Sequence, residues 1–127
     1  MIDKKNAEHI DTGKKGEAAA LEYLKSKGYA ILEQNWRCNH LEIDIIASIG
    51  DELVIIEVKS RTGTPLVEPH IAVTRSKQNL LIRAANAYIQ RKNLDLETRF
   101  DIISITFGEE TTIDHIENAF YPAVRRG

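Results

Sequence analysis

The sequence predicts an α/β domain in which helices flank a mixed central sheet of about five strands. Three observations lead to it. One stretch, Leu41 to Ser60, joins two runs rich in Ile and Val through a Gly50-Asp51 pair, the pattern of a β-hairpin. A helical spacing of apolar residues stands on either side of that hairpin, from Gly13 to Lys27 and from Thr74 to Asn93. The second helix lies between two strand-like runs, which allows a right-handed crossover to a parallel neighbour.

Taken in order, residues 1–12 are polar and are expected to be loose. Ala20, Leu21 and Leu24 then repeat at helical spacing, and Gly28 supplies a stop. This stripe is short and Ala-rich, so the helix can lie close to a sheet. Glu17 in its first turn complements the helix dipole, and such a close approach would let it reach the hairpin. Tyr29 to Arg37 reads as the first strand, entering the hairpin through the polar stretch Arg37 to His40. After the hairpin, Arg61 to Pro69 contains Gly63, Pro65 and Pro69 and reads as a loop. Thr74 or Ser76 can cap the second helix, whose expected buried face is Leu80, Leu81, Ala84, Ala85, Tyr88 and Ile89. Arg99 to Phe107 and Thr111 to Ala119 are the last two strands, and residues 122–127 form a loose tail. A hairpin with one wholly apolar face needs a helix against it, so the expected architecture is an α/β/α sandwich.

The chain of 127 residues suits a single domain, 1–127. No apolar run approaches a membrane span, and the first residues lack the apolar core of a signal peptide, so a cytoplasmic protein without membrane contact is expected. Cys38 is the only cysteine, which excludes an intrachain disulfide and speaks against a thiolate zinc site. His9, His40, His70 and His115 show no metal-ligand spacing. The formal net charge of −2 argues mildly against avid nonspecific nucleic-acid binding, although the basic residues cluster around the hairpin.

The hairpin itself carries the chemistry. Gly at the first central position suits a two-residue type II′ turn, and that turn fixes the register. Ile46 then opposes Ile55, Asp44 opposes Glu57 and Glu42 opposes Lys59, all on one face because strand side chains alternate. The other face pairs Ala47 with Val54, Ile45 with Ile56, Ile43 with Val58 and Leu41 with Ser60. Opposed Asp44 and Glu57 would have Cβ atoms about 5 Å apart, where repulsion amounts to roughly 3 kcal/mol and lifts a pKa by about two units. A divalent cation would offset it, and Mg²⁺, or Mn²⁺ in its place, takes one or two carboxylates plus waters and phosphate oxygens. Solvated acids, with Glu42 and Lys59 as a cross-strand ion pair, are the bland alternative. Arg75 and Lys77 at the start of the second helix suit a phosphate, though solvated charges are more usual there.

These residues also resemble a known family. Ile43-Asp44 followed by Glu57-Val58-Lys59 is similar to the PD-(D/E)XK nuclease signature, with Ile43 where that signature has Pro. The stretches G-K-K-G-E-A-A-A-L-E-Y-L, N-W-R, L-E-I-D-I-I-A, V-I-I-E-V-K-S-R, V-T-R-S-K-Q and R-F-D-I-I-S-I together resemble the bacterial YraN-like family of predicted endonucleases. Leu41 stands where that family usually has Gly. The resemblance implies a restriction-endonuclease-like fold, distantly similar to archaeal Holliday-junction resolvases. It implies that Asp44 and Glu57 hold a divalent metal with the Val58 carbonyl and Glu17, that Glu42 is a supporting acid, and that Lys59 assists the attack of water on phosphorus. Ser60, Arg61, Arg75, Lys77 and Gln78 become candidate contacts to a nucleic-acid backbone, DNA by analogy, and a homodimer is an expectation of the same kind. A metal-dependent nuclease acting on branched or damaged DNA is therefore expected. A nucleic-acid-binding protein that keeps the fold without cutting is the alternative, and an interaction module with a solvated acid cluster is a third.

Overall fold

The computed structural model describes residues 4–63 and 73–122, and of residues 4–11 the backbone alone. Seven elements follow in the order α1 (Lys4–Ser26), β1 (Ala30–Cys38), β2 (Leu41–Ile49), β3 (Glu52–Thr62), α2 (Arg75–Lys92), β4 (Glu97–Phe107) and β5 (Thr112–Phe120). The strands form one mixed five-stranded sheet in sequence order, antiparallel except for the parallel β3–β4 pair that α2 connects. This is the α/β architecture expected from the sequence, and it is consistent with a restriction-endonuclease-like fold. The expected loop residues Pro65, Pro69 and His70, the side chain of His9, and the tail with Arg125 and Arg126 lie outside the described residues.

The hairpin turn is as expected, and so is the register from Ile49–Glu52 to Ile45–Ile56, whereas the expected pairs Asp44–Glu57, Ile43–Val58, Glu42–Lys59 and Leu41–Ser60 are not part of the ladder, because the two strands part there. Gly50 has φ +55°, as the first central residue of a type II′ turn requires, and Ile49 opposes Glu52 across it. Ile46 opposes Ile55 and Ala47 opposes Val54. Gly28 ends α1 with φ +90°, while Thr74 caps α2 by accepting the Lys77 N–H at 3.2 Å and Asn93 closes it with φ +51°.

Apolar residues sort onto two faces. Against α2 lie Ile43, Ile46, Leu53 and Ile55 with Leu81, Ala84, Ala85 and Tyr88. Against α1 lie Ile45, Ala47, Val54, Ile56, Ile103 and Ile105 with Ala20 and Leu24. The sheet is thus the middle layer of three.

Four expectations are corrected. The helix begins at Lys4, so the segment expected to be loose through Thr12 is largely helical. Nothing between Lys4 and Thr12 breaks a helix, and Gly13 inside it costs only about 1 kcal/mol. Strand β3 runs on to Thr62, paired with β4 along its whole length, so Arg61 and Thr62 are strand rather than loop. Leu80 is 43 % exposed, because it sits at the margin of the α2 stripe rather than in it. Finally, Ile43 does not share a face with Ile45. It packs with Ile46 toward α2 while Ile45 packs toward α1, so the alternation of β2 breaks at Asp44. Strand β1 breaks beside it: Asn35 has φ +49°, and the ladder passes from Gln34–Ile45 to Trp36–Ile43.

Candidate active site

The break at Asp44 builds the site. The β2–β3 ladder ends at the Ile45–Ile56 pair, after which β2 continues alongside β1 and β3 alongside β4. At the mouth of this opening Asp44 Oδ2 accepts the Val58 backbone N–H at 2.9 Å, a carboxylate bond where the backbone ladder has stopped. Burial raises the Asp44 pKa; the Val58 bond and Lys77 oppose this, while Glu17 and Glu42 add to it.

Glu57 lies just beyond the ladder on β3, its side chain only 15 % exposed. Burial and the Asp44 charge push it up to about 7, against the pull of Lys77 and Lys59. Lys77, in the first turn of α2, places Nζ 3.7 Å from Glu57 Oε2. A residue expected to meet a nucleic-acid backbone is thus also the counter-ion of a core carboxylate.

Helix α1 closes the other side. Gly16 is buried against β3, and a Cβ there would collide with the Ser60 Oγ, so the helix can approach this closely only with glycine. The next residue, Glu17, is thereby delivered to the site. Asn35 Nδ2 donates to Glu17 Oε2 at 3.1 Å, which gives the left-handed Asn a use. Glu17, Asp44, Val58, Ser60, Arg61 and Thr62, with Thr12 and Gly13, line a cleft of about 340 Å³. Lys59 lines an adjoining depression with Ser60, Arg61 and Ser104, and Arg61 Nε donates to Thr106 Oγ1 at 3.2 Å.

The expected residues therefore divide. Asp44, Glu57, Val58, Glu17 and Lys77 meet around the strand opening, with Ser60, Arg61 and Lys59 along its floor. Glu42 stands apart from Lys59 and pairs with Arg37 at 3.6 Å, because the strands have separated by that level. Gln78 donates to the Val73 carbonyl at 2.9 Å and so holds the entry to α2, while Arg75 is exposed at its first position. Among the described residues no three His, Cys, Asp or Glu side chains gather as a metal cluster. Two carboxylates with raised proton affinity nevertheless fit a hard divalent cation, whose remaining positions a backbone carbonyl, waters and phosphate oxygens would fill.

Sequence reasoning missed Gly16 and Asn35. It also left Asp101 unplaced, and that residue centres a second polar cluster. Arg99 donates to Asp101 through Nε at 3.0 Å and through NH2 at 2.9 Å, His115 Nε2 lies 2.7 Å from Asp101 Oδ2, and the Asn118 N–H donates at 3.1 Å. Tyr23 and Tyr29 join through His115 Nδ1 and Arg99 NH2. Burial alone would raise the Asp101 pKa, but the bonds from His115, Arg99 and Asn118 outweigh it and hold the carboxyl below its ordinary range.

Comparison with known proteins agrees along most of the chain. Residues 16–105 match the model of uncharacterised protein family UPF0102. A UPF0102 protein of Phocaeicola vulgatus is 47 % identical over 120 residues, covering 93 % of this chain and 98 % of that one. One of Bacteroides thetaiotaomicron is 48 % identical over 118 residues, covering 91 % and 97 %, and one of Flavobacterium psychrophilum is 47 % identical over 116 residues, covering 91 % and 98 %.

Proposed function

The chain belongs to family UPF0102, the YraN-like family, and from that premise we propose that it is a divalent-metal-dependent nuclease that hydrolyses phosphodiester bonds. One observation carries the reading. Two half-buried carboxylates, Asp44 and Glu57, stand at the point where two strands part, and their proton affinities are raised. A fold does not keep such an arrangement for stability, since buried carboxylates of raised pKa oppose folding at neutral pH.

In this reading Asp44, Glu57 and the Val58 carbonyl hold Mg²⁺ or Mn²⁺, with Glu17 at the cleft wall. A divalent cation held there would supply positive charge to a phosphoryl oxygen and make water more acidic. As the water oxygen bonds to phosphorus the water gives up one proton, and as the phosphorus–oxygen ester bond breaks the leaving alkoxide takes up one from solvent, so the proton count is unchanged. Lys59 stabilises the charge that grows on the phosphoryl oxygens. Lys77, by its proximity, opposes the rise in the Glu57 pKa and so favours the ionised form that a cation would meet. Asn35 orients Glu17 toward the cleft, where its free oxygen can accept from water. Ser60, Arg61 and Arg75 meet the flanking backbone, contacts that position a strand without reading its sequence. Branched or damaged DNA is the substrate class the family resemblance favours.

The test is cleavage of labelled linear and four-way-junction DNA with Mg²⁺ or Mn²⁺ by the wild type and by the Asp44→Asn, Glu57→Gln and Lys59→Ala variants. Metal-dependent cutting is expected, with losses of about 100-fold or more in each variant. DNA binding without cutting in any metal would identify the non-catalytic alternative.

A further inference from the structure

A second groove opens beside the site, on the α2 side of the sheet. Its walls are the β1–β2 turn, through Asn39, His40 and Leu41, and the outer face of α2, through Leu80 and Arg83, and it encloses about 610 Å³. That is room for a nucleotide-sized ligand. The floor is apolar, for Leu80 is one of the few large apolar side chains left exposed, and Leu41 packs beneath as a margin of the α2-side core. The rim is polar and carries the Arg83 cation, and among the described residues that line it there is no carboxylate. The nearest strand acid, Glu42, is turned to Arg37. Among the described residues, the side chains of Asn39, His40 and Arg83 make no hydrogen bond or ion pair, so their donors face solvent.

The groove is in step with the carboxylate pair. Lys77, which holds Glu57, and Leu80 and Arg83, which line the groove, follow one another at three-residue intervals along α2. Lys77 and Arg83 are thus about 9 Å apart along the helix axis and about 120° apart around it, so a single strand following the helix surface from one to the other would span one or two nucleotide steps. The turn that carries His40 is fixed by Asn39, which takes φ +57°.

We propose that this groove holds an unpaired nucleotide next to the scissile phosphate, with the base lying on Leu41 and Leu80 between the His40 and Arg83 planes. The inference rests on the nuclease reading and narrows its substrate to nucleic acid with unpaired bases at the cutting point. An apolar floor matches a base face, a guanidinium plane and an imidazole stack on it, and the Arg83 charge at the rim suits a polyanion. A stacked base in a continuous duplex presents no free face to such a groove.

The test needs no metal and no cutting. Fluorescence anisotropy in EDTA would compare a blunt DNA duplex with the same duplex bearing a thymidine overhang or a uridine overhang, the two overhangs separating DNA from RNA as the source. The wild type is expected to bind an overhang duplex about tenfold more tightly than the blunt one. Leu80→Ser and Arg83→Ala are expected to abolish most of that preference while leaving blunt-duplex affinity within about twofold, and Lys92→Ala, an equal loss of charge at the far end of α2, is expected to keep it. Both variant positions are exposed, so unchanged thermal unfolding is the accompanying control. Equal affinity for blunt and overhang duplexes would overturn the inference, and metal-dependent cutting of the blunt duplex would then leave the nuclease reading standing. Equal weakening of all three DNAs by Arg83→Ala would also overturn it, and failure to bind any DNA would overturn both.

Discussion

At the residue scale the site announces itself as a cost. Glu57 has its pKa pushed up to about 7 by burial and by Asp44, above the ordinary glutamate value. The folded state therefore holds this proton more tightly than the unfolded chain, and between about pH 4.5 and 7 stability falls as pH rises. Above that window the penalty is constant, on the order of 2–3 kcal/mol in the metal-free protein. Glu57→Gln removes it. Urea unfolding in EDTA should find the variant more stable than wild type by about 2 kcal/mol near pH 8 and no different near pH 4. A variant less stable near pH 8 would mean that the Lys77 ion pair outweighs the burial. That Asp44 comes near Glu57 was legible in the sequence because the turn at Gly50-Asp51 brings their strands together, whereas the end of the ladder just before them was not. Asn35 was not, since its use depends on a positive φ and on a helix that reaches it from elsewhere in the chain.

At the element scale, α1 comes closest to β3 at Gly16, beyond the Ala20 and Leu24 packing. Gly16→Ala should cost about 1–3 kcal/mol, because the new methyl collides with Ser60 Oγ and the helix must lift. Lifting it also moves Glu17 away from Asp44. Ser60→Gly in the same chain opens the space, and the double variant should regain most of the lost stability, a coupling that urea unfolding of the four proteins measures. Simple addition of the two single costs would contradict the contact. The hairpin register was readable because a Gly-first two-residue turn admits one pairing. The alternation break at Asp44 was not readable, because every residue there suits a strand and the reversal belongs jointly to β1 and β2. Likewise the helix start at Lys4 was hidden, because Asp3 is a capping-type residue but the polar residues after it carry no clear apolar stripe to mark a helix.

At the scale of the whole molecule, the Asp101 cluster ties the end of α1 and the start of β1 to β4 and β5 through Tyr23, Tyr29, Arg99 and His115. Asp101→Asn would leave the buried Arg99 guanidinium without its main counter-charge and should cost about 3 kcal/mol or more in urea unfolding. Because the Asp101 carboxyl lies below its ordinary range, its contribution is present above about pH 4 and is lost as the pH falls through the folded value. The wild type should therefore lose stability in acid, and the variant should lose less. The sequence shows Asp101 only as an acid in a strand, since its partners His115 and Asn118 come from β5 and the tyrosines behind Arg99 and His115 come from α1 and the start of β1. The layering and the parallel fourth strand were legible at this scale because the apolar faces of the hairpin and of two helices call for a sheet covered on both sides, with the second helix as crossover.

The central claim is that the strand opening at Asp44 and Glu57 is a metal site, and isothermal calorimetry of Mg²⁺ and Mn²⁺ binding tests it most directly. The wild type, with DNA present to complete the coordination, should bind the ion near neutral pH, and Asp44→Asn and Glu57→Gln should each weaken binding about tenfold or more. Equal binding by wild type and both variants, or no binding by the wild type even with DNA present, would contradict the account.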